Sequence, residues 1–331
     1  MTDPPLRWGI LGAADIAEKA VMPAIQGAGG ELAALATRSP ERGRALAARF
    51  RIPHVYSSYR ELVEADLDAV YIPLPNSLHL PWTLQAAAAG KHVLCEKPLA
   101  LTAAEARQMQ DAAQLHGVVL AEAVMYRYHP RWQIVHRLIR SGEIGGLRHL
   151  QGSFTFQLGA PPDIRWEKDL GGGALYDVGS YLVNAARWLA GEPTLVLARA
   201  QLRHSVDSDG SLLLEFPNSG GPVSAELAYS FESAEHQSLE LIGTKGSLQI
   251  PKPFTAWRGE SLPVYLRRES DGNTEVVACP AADPYQEMVE MFTARIRGGP
   301  ALITGPEDAE LGLRVLDAAR RSFGSSTWEA P

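Results

Sequence analysis

Arg7-Trp8-Gly9-Ile10-Leu11-Gly12-Ala13-Ala14-Asp15-Ile16-Ala17 is the stretch from which the fold is read. Its first five residues form a short apolar run that ends at Gly12, the pattern of a buried strand. Residues 15 to 28 are rich in Ala and Ile and close on Gly27-Ala28-Gly29-Gly30, a helix with its stop signal. Between them, Gly12-Ala13-Ala14-Asp15-Ile16-Ala17 has the layout G-x-G-x-x-G, with Ala at the second and third glycine positions. Small residues there permit a tight turn and close approach of a pyrophosphate, with a helix N-terminus aimed at it. The expected contacts are Gly12, Ala14, Asp15 and Ile16. A plain strand–turn–helix has the same residues; what favours the nucleotide reading is the alternation that follows.

That alternation runs to about residue 123. Strands are predicted at 32–37, 68–72, 92–95 and 118–121, with helices at 40–50, 77–89 and 102–116. Thr102 with Glu105 three residues on makes a capping box. Alternating strand and helix implies a parallel sheet covered on both faces. After 123 the pattern changes. Helices are predicted at 131–140 and 173–190. Strand-like runs follow at 195–201, 211–216, 223–229, 238–242 and 247–250, then two closing helices at 284–297 and 306–321, with an irregular tail after Gly324. The expected fold is α/β: an N-terminal Rossmann doubly wound parallel sheet over 1–123, and a C-terminal α+β domain over 124–331 built on a large, open-faced, mainly antiparallel sheet.

The 331 residues suffice for two domains and a sizeable core. A net charge of −7 argues against a nucleic-acid footprint and gives no support to an anionic membrane surface. Cys95 and Cys279 are too few and too far apart for a disulfide framework. The nine histidines show no H-x-x-x-H or H-x-x-E-H spacing, so no metal is expected. The segment Met1 to Arg7 lacks an export pattern, and no apolar run reaches membrane-spanning length, so a soluble cytoplasmic protein is expected.

The end of the second strand separates two cofactors. An NAD site usually places Asp or Glu there to hold the ribose 2′-hydroxyl. Here the residues are Ala36-Thr37-Arg38-Ser39-Pro40-Glu41-Arg42. A guanidinium with hydroxyls suits a 2′-phosphate, so NADP(H) is favoured over NAD(H), with Arg38 the main contact and Thr37, Ser39 and Arg42 as helpers. The alternative is a solvated loop with ordinary charges. Cys95-Glu96-Lys97-Pro98 ends a later strand, where α/β sheets bind ligands. In Gly171-Gly172-Gly173-Ala174-Leu175-Tyr176-Asp177-Val178-Gly179-Ser180-Tyr181, a glycine turn precedes a helix that sets Asp177 and Tyr181 four residues apart on one face. The plain reading of that pair is two hydrogen-bonded polar groups in a buried helix.

Together these pieces resemble the Gfo/Idh/MocA family: Trp8-Gly9-Ile10-Leu11-Gly12, Pro75-Asn76 and His79, Glu96-Lys97-Pro98, and Gly171 to Tyr181, in that order. The resemblance covers nearly the whole chain. It implies a Rossmann domain followed by an open-faced sheet domain, and chemistry on sugars or related polyols with a nicotinamide cofactor. It implies cofactor contacts at Pro75, Asn76, His79, Glu96, Lys97, Arg165 and Trp166, with catalysis by Lys97, Asp177 and Tyr181. An ordinary packing role suits Trp166 equally, and Arg127 and His129 are expected to anchor a hinge or loop. Position 181 holds Tyr where most of the family has His. It is similar in this to the branch containing glucose-fructose oxidoreductase, dimeric dihydrodiol dehydrogenase and NADP-linked xylose dehydrogenases. A phenol, with its ordinary pKa of about 10, needs a neighbouring cation such as Lys97 to act as a base near neutrality. The implied function is hydride transfer between nicotinamide and a carbinol or carbonyl carbon of a sugar or cyclic diol. The rivals are a keto-sugar reductase, including one for nucleotide-linked sugars, and a non-catalytic NADP-binding sensor. By resemblance, a homodimer or homotetramer through the C-terminal sheet is expected.

Overall fold

The computed structural model describes residues 4–217, 221–270 and 272–331. Met1 to Asp3, part of the segment read for an export signal, lie outside the described residues. The chain divides into two compact units, Met1–Met125 with Tyr285–Glu310, and Tyr126–Pro284 with Leu311–Pro331.

The first unit alternates as its hydrophobic pattern requires: β1 (Arg7–Leu11), α1 (Met22–Gly27), β2 (Glu31–Ala36), α2 (Pro40–Phe50), β3 (His54–Tyr56), α3 (Tyr59–Glu64), β4 (Ala69–Ile72), α4 (His79–Ala88), β5 (His92–Cys95), α5 (Ala103–His116) and β6 (Leu120–Glu122). The strands pair in parallel in the order β3-β2-β1-β4-β5-β6. That is the doubly wound dinucleotide-binding order, with its switch point between β1 and β4. A π turn, Ala17–Val21, precedes α1. At α5 half of the capping box forms: the N-cap Thr102 accepts through Oγ1 from Glu105 N at 3.2 Å, while the Glu105 carboxylate accepts not from Thr102 N but from Leu101 N, one residue earlier, at 2.9 Å.

The second unit carries α6 (Arg131–Arg140), β7 (Leu147–Gln157), α7 (Ser180–Ala190), β8 (Leu195–Arg203), β9 (Val206–Phe216), β10 (Val223–Ser230), β11 (Glu232–Gly243), β12 (Gly246–Pro251), β13 (Val264–Arg268) and β14 (Thr274–Val277). The sheet order is β14-β13-β12-β11-β7-β10-β9-β8, antiparallel except where β7 runs parallel to β10. Strand β10 shows why one face is covered and the other solvated. Val223, Ala225, Leu227 and Tyr229 are buried while Ser224, Glu226 and Ala228 are exposed, the period of two that a pleated strand imposes. Helix α7 lies on the covered face. Gly152 in mid-β7 makes room for it, since a Cβ there would meet Leu182 Cδ2 of α7 at 2.9 Å.

Several elements depart from the expectation. Strands β3, β7, β13 and β14 and helix α3 were not anticipated. The tail after Gly324 is not wholly irregular, because Glu329 bridges to Val196 of β8. Of the two closing helices, α8 (Pro284–Ile296) and α9 (Pro306–Ser325), the first does not fold with 124–284. The reason is packing. Phe292 of α8 sits 5.6 Å from Trp8 of β1, ring to ring. Thr304 exchanges hydrogen bonds with the backbone of Glu122 and covers the β6 edge.

Candidate active site

In the first unit, Gly12 ends β1 with φ +116°, a conformation that L side chains rarely adopt, and a Cβ there would meet Leu74 Cδ2 at 3.0 Å. The turn therefore stays bare where the fingerprint requires close approach. Ala13, Ala14 and Ile16 are half-buried beside it. Asp15 is exposed and engaged: Lys19 Nζ lies 3.1 Å away and the Arg42 guanidinium bonds its other oxygen. Those cations hold its carboxyl below the usual range.

At the end of β2 the four expected residues separate into different roles. Thr37 is buried and its Oγ1 accepts from Ser39 N at 3.1 Å. Ser39 caps α2, accepting from Arg42 N at 3.4 Å, with Pro40 at the first helical position. Arg42 bonds Asp15 and lies 3.5 Å from Glu18. Arg38 is exposed and alone of the four makes no hydrogen bond or ion pair with the described residues. Arg42 thus already ties α2 to the turn between β1 and α1.

The Glu96-Lys97-Pro98 turn follows β5 and is held by three buried or half-buried side chains. The Tyr71 hydroxyl of β4 donates to Glu96 Oε1 at 2.6 Å, and Glu96 Oε2 accepts from Lys97 N at 3.3 Å. The Glu122 carboxylate, at the end of β6, accepts from Leu99 N at 2.8 Å. His79 is wholly enclosed, with Nδ1 2.9 Å from Pro98 O and Nε2 2.8 Å from Leu74 O. Burial lowers its pKa, so the ring is neutral and donates to one carbonyl at a time. His79 therefore clamps the ends of β4 and β5 and does not itself face a cofactor. Pro75 and Asn76 lie in the short turn before α4 and are half-buried.

In the second unit the glycine run is explained by what approaches it. A Cβ on Gly172 would lie 2.5 Å from Arg165 O, and one on Gly173 would lie 2.3 Å from Asp207 Oδ1. A π turn, Leu175–Gly179, leads into α7, and it contains Asp177. π turns recur at functional sites. Arg165 Nη1 lies 3.6 Å from Asp177 Oδ2, and the same guanidinium donates two hydrogen bonds to Asp163, from Nε to Oδ1 at 3.0 Å and from Nη2 to Oδ2 at 2.8 Å. Those carboxylates raise the pKa of Arg165, and the cation lowers that of Asp163. Tyr181 stands among the rings of Tyr126, Phe154 and Phe254, at 6.0, 5.6 and 5.5 Å.

Trp166 is 4% exposed, donates Nε1–H to Gly159 O at 2.8 Å and packs edge-on against Phe231. It is a packing tryptophan, not a free stacking surface. Arg127 lies 4.4 Å over the Trp188 ring, and His129 is buried with Nδ1 accepting from Arg131 N, so both anchor their loop. Sequence reasoning missed Tyr71, Asp207 and the clamping roles of Glu122 and His79. Only the run of glycines hinted at a close neighbour. Among the described residues, no group of three His, Cys, Asp or Glu side chains could hold a metal ion, and no helix is long and apolar enough to cross a membrane.

A doubly wound sheet with a bare first turn, followed by a mainly antiparallel sheet carrying an Asp-x-x-x-Tyr helix, is the arrangement expected of a nicotinamide-dependent oxidoreductase, and comparison with known proteins agrees. The family described as "Oxidoreductase family, NAD-binding Rossmann fold" matches residues 6–124, and the "GFO/IDH/MocA C-terminal domain" matches 132–249. The chain belongs to the Gfo/Idh/MocA family. It is 40% identical to a dTDP-3,4-didehydro-2,6-dideoxy-alpha-D-glucose 3-reductase of Streptomyces violaceoruber, over 88% of this chain and 85% of that one. It is 37% identical to an NADP(+)-linked D-xylose 1-dehydrogenase of Haloferax volcanii, over 96% and 97%. Among solved structures, a 3-ketoreductase from Actinomadura kijaniata in complex with NADP and TDP-benzene superposes with a TM-score of 0.88 at 32% identity, covering 96% of this chain and 98% of that one. That reductase has also been solved with a lysine replaced by Ala or Glu, and with a tyrosine replaced by Phe.

Proposed function

We propose that this protein is an NADP(H)-dependent oxidoreductase that interconverts a carbinol and a carbonyl on a sugar or related cyclic diol, with Tyr181 and Lys97 as its catalytic pair. The observation that carries the reading is a spacing. The lysine and tyrosine replaced in the A. kijaniata reductase stand as far apart in that chain as Lys97 and Tyr181 do here. Both side chains are chemically competent in this sequence, which a sensor that kept only the fold would not need.

When bound, the nicotinamide supplies or accepts a hydride. The bare Gly12 turn would take the pyrophosphate, and Arg38 the 2′-phosphate. Lys97 holds the substrate oxygen and, by its charge, favours the phenolate of Tyr181. Tyr181 takes the hydroxyl proton in oxidation and returns it in reduction. Asp177, steadied by Arg165, orients a second substrate hydroxyl. A keto-sugar reductase, including one for nucleotide-linked sugars, is the second reading. The likeness to the two 3-reductases favours it.

The test is a screen with NADPH and NADH side by side, and with their oxidised forms, over aldoses, inositols, dihydrodiols, keto-sugars and dTDP-linked keto-sugars. Tyr181→Phe and Lys97→Ala should each lower kcat by about 10²- to 10⁴-fold. Near-normal turnover in both variants sinks the assignment. We further infer a cytoplasmic homodimer or homotetramer formed through the solvated face of the second sheet, where Ser224, Glu226 and Leu213 are exposed. A monomeric mass by light scattering at micromolar concentration refutes that part.

A further inference from the structure

Asp207 lies near the start of β9, and its side chain is turned toward the start of the Asp177–Tyr181 helix. Its Oδ2 accepts from Leu175 N at 2.6 Å, and the backbone N–H of Ala174 also bonds this carboxylate. These are two of the donors that a helix start leaves without intrahelical partners. Its Oδ1 occupies the space that a side chain at position 173 would fill, 2.3 Å from where a Cβ would stand, and Gly173 has φ +118°. The glycine run thus exists, in part, to admit this one carboxylate. Behind it, Arg320 of α9 donates to the Tyr176 hydroxyl at 2.6 Å and lies 5.4 Å over that ring, so the first turn is gripped from both sides.

We propose that Asp207 is a positioning residue for the reaction: its ionised carboxylate fixes the first turn of the helix carrying Asp177 and Tyr181, and its protonation loosens that turn and slows turnover. Three titratable groups interact with it: Arg320 on α9, Tyr176 in the π turn and Tyr229 on β10. Asp317 on α9 acts in turn on Tyr176, and Asp209 of its own strand on Tyr229. Arg320 and three backbone N–H groups, those of Leu175, Ala174 and Asp207 itself, favour the ionised form. Burial outweighs them and pushes the carboxyl up to about 7, so both forms are populated near neutrality. The ionised form accepts these three N–H bonds with a full negative charge. The protonated form turns one oxygen into a hydroxyl and accepts without charge, so its bonds to the turn are weaker.

The inference rests on the proposed function for its kinetic readout and on the helix alone for its second one. With the full-length chain, kcat at saturating substrate is compared between the natural protein and Asp207→Asn from about pH 5.5 to about pH 8.5. Asn cannot ionise and stands in for the protonated cap. The ratio of natural to variant kcat should be near one at the acid end. It should rise about three- to tenfold at the alkaline end, the difference between a hydrogen bond to a charged acceptor and one to a neutral acceptor, with its midpoint near 7. Cofactor Kd should not move. A ratio that stays constant with pH overturns the proposal, because a purely structural loss would be the same at every pH. If no substrate in the screen is turned over, the catalytic reading fails separately. Hydrogen exchange of residues 174–181 in the natural protein then decides the matter. Protection that falls as pH drops through about 7, after correction for intrinsic exchange, supports the proposal, and protection independent of pH refutes it.

Discussion

Replacing Arg38 by Ala should separate NADP(H) from NAD(H). Arg38 is exposed at the end of β2 and has no ion pair or hydrogen bond with the described residues to give up. Its removal therefore costs the fold almost nothing, and any change belongs to the ligand. A hydrogen bond to a charged group contributes about 1.5–3 kcal/mol. Exposure to water and salt reduces that, so ~1–2 kcal/mol is the appropriate range for a side chain in this position. That corresponds to about a 5- to 30-fold rise in Kd for NADPH. NADH has no 2′-phosphate, and its Kd should change less than about twofold.

Arg42 is the control. Its guanidinium is already bonded to Asp15 and lies 3.5 Å from Glu18, on a surface where such pairs contribute about 0–1 kcal/mol. Arg42→Ala should lower stability slightly and leave the preference between cofactors intact. The assay is isothermal titration of both cofactors into both variants at one fixed salt concentration. Equal weakening of NADPH and NADH in Arg38→Ala, or loss of preference only in Arg42→Ala, refutes the assignment.

Two further outcomes concern stability. Gly152→Val forces a side chain against Leu182 Cδ2 at 2.9 Å and against Leu227 and Leu239 at 3.2 Å, so it should destabilise the second unit by about 1–3 kcal/mol; an unchanged melting temperature contradicts the packing described. His129 is buried, its Nε2 has no partner, and burial beside Arg131 pushes its pKa down to about 4. Its folded pKa lies below the unfolded value of about 6.5, so its contribution is present above about 6.5 and is lost as pH falls through about 4, to a maximum of roughly 3 kcal/mol. His129→Gln should show a shallower acid loss in thermal melts over that window. Parallel curves for the two proteins would remove His129 from the acid transition.

How far sequence could lead depended on how local each signal was. Strands β1, β2, β4 and β5 are apolar runs closed by turns or caps within a few residues, and from them a parallel doubly wound sheet follows. Strand β7 alternates imperfectly, with Gly152 at its centre, and its neighbours β10 and β11 lie some way down the chain. Nothing within Leu147–Gln157 announces them. The assignment of Tyr285–Glu310 to the first unit depends on Phe292 meeting Trp8, a contact with no local trace. For the candidate site, Lys97 is proposed because strand ends bind ligands, and Asp177 and Tyr181 from their spacing and from resemblance. Arg42 and His79 carried the right chemistry for a ligand, yet each is used internally, and only the geometry of their partners reveals it.

The supporting residues matter because proton transfer tolerates little error in distance. Lys97 carries its charge on a flexible four-carbon stem, so fixing its backbone is the main way to limit where the ammonium can go. Tyr71 through Glu96, His79 at Pro98, and Glu122 at Leu99 fix that backbone on both sides of Lys97. Tyr181 is held differently. A phenol has only two side-chain torsions, and the rings of Tyr126, Phe154 and Phe254 restrict both, leaving the helix start as the remaining freedom. Asp207 acts on that freedom. The bonds around Lys97 and at the helix start are thus made to main-chain groups, whereas Asp177 is met by the Arg165 side chain. On the proposed function, loss of one of the bonds to main chain should lower kcat through geometry and leave cofactor Kd unchanged.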